Sequence, residues 1–116
     1  AQRQWSDACQ EAAKASAPAD GSAAWVQAGW TKPQLPDQRC IFNNIFPVNG
    51  WRGAACTRIV VGVDGRASQF AVIGTAVPRE QEVVFRNALN SCRFIPGRDA
   101  EGRPAATWLI LPLRIE

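Results

Sequence analysis

The clearest pattern along the chain begins at residue 54, AACTRIVVGVDGRASQFAVIGTA. It reads as two strands about an Asp64-Gly65 turn, because Asp-Gly supplies the two positive φ values that a tight hairpin turn requires. In the first strand Ala55, Thr57, Ile59 and Val61 share one face, and Cys56, Arg58 and Val60 share the other. The second strand, 67–74, sets Phe70, Val72 and Gly74 against Ala71 and Ile73. After Pro78 the period changes. Phe85, Ala88, Leu89 and Cys92 fall at i, i+3, i+4 and i+7, the apolar stripe of a helix. Pro78 sits at its first turn, with Glu80 and Glu82 near its positive end. A loop, 96–104, leads into a last strand, 106–115, that contains Pro112. Proline cannot donate to a ladder, so this strand lies at an edge or bulges there.

The order strand, strand, helix, strand predicts an α+β fold. Its antiparallel three-stranded sheet has the first strand in the centre and the Pro112 strand at one edge, with the helix across one face. The other face is left for the N-terminal residues. There, 6–17 has the spacing of a helix, with Ser6 as N-cap, Pro18 as stop and Cys9 on the inward stripe. Pro33, Pro36 and Pro47 break any long helix after it, and Trp25, Trp30, Phe42, Ile45, Phe46 and Trp51 mark a segment that packs onto something. Residues 1–52 thus read as a helix and wrapping segment, and 53–116 as the domain they pack on, together one structural unit.

Composition sharpens this in two ways. The net charge of +3 is small and the 13 basic residues are scattered, which gives no footprint for nucleic acid. No apolar run approaches the roughly 20 residues of a membrane span. The four cysteines, Cys9, Cys40, Cys56 and Cys92, are even in number, have no C-x-x-C spacing and are accompanied by no histidine. They therefore read as two structural disulfides of an oxidising compartment rather than a metal site, and no cofactor is implied. The start AQRQW fits a chain trimmed of a signal peptide. In the predicted topology Cys56 begins the central strand and Cys92 ends the helix at the far level. About eight strand residues of roughly 3.3 Å each lie between them, too far for a bond, which excludes the sequential pairing. Two pairings remain, and of these the expected one has Cys40–Cys56, which closes a short loop just ahead of the central strand. It leaves Cys9–Cys92 to staple the first helix to the end of the main one.

Gly53 twelve residues before the Gly65 of VDGR, the helix end NALNSCRFIP, the loop EGRPA and the final strand LILPLRI together resemble the C-terminal domain of the TonB family, over 53–115. These are periplasmic energy transducers of Gram-negative envelopes. The resemblance implies a module that recognises an extended peptide by adding it beside the last strand. Cys92 stands where the family has Trp, the family's Tyr-Pro segment is reduced to FPVNGWRG, and the sequence shows neither an anchor nor a Pro-rich spacer. The cysteine-bearing N-terminal half reads as part of a small protein in its own right rather than of an anchored transducer.

The expected function is accordingly a periplasmic protein-binding module. Its recognition strand is Ala106, Thr107, Trp108, Leu109, Ile110 and Leu111, and its partner is an envelope protein such as an outer-membrane receptor or a secretion-machine component. Proline at Leu109 or Leu111 is expected to block an added strand. The alternative is a periplasmic inhibitor, an immunity-like protein or an accessory subunit of an envelope machine that uses the fold as a scaffold. Arg98, Arg103 and Arg114 read either as solubilising charges or as a basic rim beside that edge. An enzyme is not expected. Asp64 belongs to a turn, Asp99 and Glu101 to a solvated loop, and Ser68 and Ser91 have no histidine to activate them.

Overall fold

The computed structural model of the protein describes residues 2–74 and 76–115, except for the side chains of Gln2 and Arg3. In chain order the elements are α1 (Gln2–Ala15), α2 (Arg39–Phe42), β1 (Gly53–Val61), β2 (Ala67–Val72), α3 (Arg79–Asn90), β3 (Gly97–Arg98), β4 (Pro104–Ala105) and β5 (Thr107–Ile115). This is a small α+β fold. β1 is buried from Ala55 to Val61, which both faces of a central strand require. It pairs antiparallel with β2 on one side and with β5 on the other. The two-residue strands β3 and β4 pair with each other inside the loop that follows α3.

The β1–β5 ladder runs without a shift through nine residue pairs, from Gly53–Ile115 to Val61–Thr107. Pro112 pairs with Cys56 in that register, so the strand carrying it is an edge and is not bulged. The irregularity lies on the other side. The β1–β2 register slips between Arg58 and Val60, and Gln69 takes φ 51° at that point. The hairpin turn also differs from the expected two-residue form. Gly65 N–H donates to the Gly62 carbonyl at 2.9 Å, Gly62 N–H donates to Arg66 at 2.9 Å, and Gly65 has φ 79° while Asp64 does not enter the positive region. This is a turn closed by one left-handed glycine. The Asp64 carboxylate accepts the Arg66 N–H at 3.0 Å instead. Glycine is demanded at 65 because a Cβ there would lie 2.3 Å from the Phe94 carbonyl oxygen.

α3 covers one face of the sheet. Its Phe85 and Leu89 meet Ala55, Ile59, Val61, Leu113 and Ile115 in the larger core. α1 covers the opposite face, where Cys9 and Ala13 pack on Cys56, with Trp5, Ile73 and Ile110 around them. α1 begins at Gln2, earlier than its pattern suggested, so Ser6 lies within the helix and caps nothing. Gln81 of α3 is fully buried and clamps the wrapping segment. Its Oε1 accepts the Val48 N–H at 2.7 Å, and its Nε2 donates to the Phe46 carbonyl at 2.8 Å.

The disulfides are Cys9–Cys56 and Cys40–Cys92, not the expected Cys40–Cys56 and Cys9–Cys92. The reason is the parity of β1. Cys56 points to the α1 face with Arg58, whereas Cys40 and Cys92 lie on the α3 face. Closeness along the chain cannot carry Cys40 through the sheet, while Cys9 on the inward side of α1 sits directly over Cys56.

Candidate protein-binding site

Arg58 stands in the middle of β1 and is 6% exposed. Its Nη1 donates to the Ala13 carbonyl at 2.9 Å and to Ser16 Oγ at 2.8 Å. Ala13 is in the last turn of α1, where carbonyls lack helical partners and the macrodipole favours a cation. The guanidinium also lies 5.1 Å from the centroid of the Trp108 ring. Burial pushes its pKa down, but a guanidinium remains charged throughout the ordinary pH range. Trp108 stacks on Trp25 at 5.9 Å between centroids, and Lys14 Nζ lies 5.9 Å from the Trp25 ring. Cation, ring, ring and cation thus form one column that ties α1, β1, β5 and the wrapping segment together. The pattern of the first strand did not single out Arg58. A lone arginine inside an otherwise apolar buried run was the available signal.

The column sits beside the outer edge of β5, where a partner strand was expected. Ala106 to Trp108 are already engaged. Ala24 N–H donates to the Ala106 carbonyl at 3.0 Å, and Trp108 N–H donates to the Ala24 carbonyl at 3.1 Å. The wrapping segment continues through bridges of Thr31 to Arg98 and of Gln34 to Ile95. Of the expected recognition residues, Ala106, Thr107 and Trp108 are therefore covered by the chain itself, and the edge begins at Leu109.

The Ala24 bonds also set the parity of the strand. Trp108 directs its backbone polar groups away from β1, so by alternation Ile110, Pro112 and Arg114 do the same, and Leu109 and Leu111 bond to β1. Pro112 sits where its missing N–H falls on the outer side. This is why the inner ladder is intact. Proline at Leu109 or Leu111 would instead break the ladder to the central strand, so neither substitution tests an added strand. The outward donor between Trp108 and Pro112 belongs to Ile110.

A cleft lies on each face of this edge. The one on the α3 side, about 460 Å³, runs between β5 and the 33–45 segment and is lined by Pro33, Leu35, Ile41, Phe42, Leu109, Leu111 and their neighbours. Phe42 is 70% exposed, a large apolar side chain held on the wall. On the α1 side a cleft of about 280 Å³ is lined by Gln10, Lys14, Trp25, Lys32, Trp108 and Ile110 among others. A further one, at the Arg114 end, is bordered by Trp5 and Ser6. β5 is thus the floor of a trough walled by α1 and the 25–33 stretch on one side and by the 33–45 segment on the other, with Pro33 and Leu109 lining the clefts on both sides.

Arg98, Arg103 and Arg114 do not form one rim along this trough. Arg98 and Arg103 are on the β3–β4 hairpin, next to the Thr107 end of β5, and Arg114 is near the opposite end. Seven strand residues, about 23 Å, separate Thr107 from Arg114. Arg98 donates to the Gly102 carbonyl at 2.8 Å, and Arg103 pairs with Asp99 and Glu101 at 3.6 Å each. Among the described residues no group of His, Cys, Asp and Glu could hold a metal ion, and no helix is long and apolar enough to cross a membrane. No family model, no curated protein and no solved structure matches the chain.

Proposed function

We propose that the protein is a disulfide-bonded protein-binding module of the bacterial periplasm, with a TonB C-terminal-like domain over 53–115. It takes up an extended segment of a partner protein beside β5, from Ile110 toward Arg114. The observation that carries this reading is the trough. The outer side of this edge strand is bonded to Ala24 at Ala106 and Trp108, the strand continues past that point between two walls, and one of them presents Phe42 to solvent. Exposed edges are normally blunted. Here Ala24 closes one end and Pro112 limits the other, which leaves a short stretch for an added strand. Backbone bonds at Ile110 would supply the pairing, and alternate side chains would enter the clefts on the two faces. Two disulfides are compatible with an oxidising compartment.

The test is a ten-residue peptide alternating valine and threonine, added to the oxidised protein while amide exchange is followed. Protection of the Ile110 amide, and loss of binding in a folded Ile110→Pro variant, are expected. Binding that protects other amides and survives Ile110→Pro would overturn the reading.

A further inference from the structure

From the two unlike walls of the trough we infer which segment it selects: one with apolar residues on one face and acidic residues on the other. This rests on the strand-addition reading above. Side chains of an added strand point to the same sides as those of the β5 residues they pair with. Alternate residues of the segment therefore face the α3 side, where Leu35, Ile41, Phe42 and Leu111 offer apolar surface. The others face the α1 side. That side is lined at one end by Lys14 and Lys32, the only two lysines of the chain, and at the other by Ser6 of α1. Among the described residues, no Asp or Glu lines either α1-side cleft. Lys14 and Lys32 are exposed, so the charge is presented to whatever enters.

The two lysines also come from different elements. Lys14 closes α1 and Lys32 belongs to the wrapping segment, and Trp25 and Trp108 lie in the same cleft. A carboxylate placed opposite Ile110 meets both cations over an aromatic floor, where partial exclusion of water strengthens the pairing relative to an open surface. A segment of the reverse pattern would bring lysine against lysine, so the same wall rejects as well as attracts.

Three peptides of equal length decide this, with valine alternating with glutamate, threonine or lysine. Each is titrated against the oxidised protein at low salt, with tryptophan fluorescence as the readout. The glutamate peptide should bind about tenfold more tightly than the threonine peptide, as two modest ion pairs would give, and the lysine peptide should bind least. A Lys14→Glu/Lys32→Glu variant should reverse the order, and Lys14→Gln/Lys32→Gln should level it. Equal affinities for the glutamate and threonine peptides would overturn the charge selection and leave strand addition standing. So would an order unchanged in the variants. Failure of all three peptides to bind would overturn strand addition itself, and the inference with it. Sedimentation showing a dimer that the peptides cannot enter would assign the edge to a second copy of this chain and overturn both.

Discussion

At the scale of single residues, Arg58 carries the largest share of the unusual chemistry. A buried cation without its partners is strongly unfavourable, and so are partners left without their cation. Arg58→Ala would leave the Ala13 carbonyl at the end of α1 with only its longer bond from Ser16 Oγ at 3.4 Å, remove the group beneath Trp108 and open a cavity. We expect it to lower stability by about 3 kcal/mol. Arg58→Met fills most of the volume without a charge and should be markedly milder, since apolar replacements of buried ionic groups are often tolerated. Urea midpoints of the oxidised proteins check both. An Arg58→Ala midpoint equal to that of the wild type would mean that Arg58 does not hold α1. Lysine is a poor substitute here, because two acceptors and a ring face are served by one planar group.

Among the elements, the β3–β4 hairpin holds its turn by a carboxylate. Asp99 Oδ1 accepts the N–H groups of Glu101 and Arg103 at 3.0 Å each. The Arg103 backbone bond is the main cause that holds the Asp99 pKa below its ordinary value. A carboxylate depressed in the folded state contributes fully above its unfolded pKa, and the contribution is lost as pH falls through the folded one. In a Glu101→Gln background, which removes the neighbouring carboxyl, the amide resonances of residues 101 and 103 should thus stay unchanged as acid is added through the ordinary carboxylate range and move only below it. Movement at the ordinary value would show that the turn does not need the charge. α1 shows how far the sequence alone can be read. Its helical spacing and the inward position of Cys9 were legible, as were the hairpin, the main helix and the edge strand with Pro112. The short pairs at Ala24, Thr31 and Gln34 were not, because single backbone bridges leave no periodicity. Nor was the buried Gln81, whose role comes from two main-chain groups of a distant loop. β5 was legible as an edge. Its coverage up to Trp108 was not, since Ala24 reaches it through backbone atoms that any residue would offer.

For the whole molecule, the disulfides join what the sheet separates. Each runs from the first 52 residues to the later ones, one on either face, with sequence separations of 47 and 52. Chain-entropy arguments assign about 4 kcal/mol to loops of that length. Replacing Cys9 and Cys56 by serine should cost about that much and speed amide exchange in α1 above all. The Cys40/Cys92 pair of substitutions should instead loosen the 33–45 wall. A non-reducing peptide map should contain Cys9–Cys56 and Cys40–Cys92, and a Cys40–Cys56 peptide would contradict the arrangement of faces described above. The choice between the pairings was beyond the sequence because it depends on which face the 33–45 segment covers, and its prolines and aromatics suit either. The interleaving of the bonds also bears on biogenesis. A chain delivered from its N-terminus into an oxidising space presents Cys9 and Cys40 first, and neither is the native partner of the other. Oxidation that kept pace with delivery would trap the wrong bond. For a chain delivered in that way, correct maturation would require either that oxidation wait for β1 and α3 or that a thiol–disulfide isomerase reshuffle the early product.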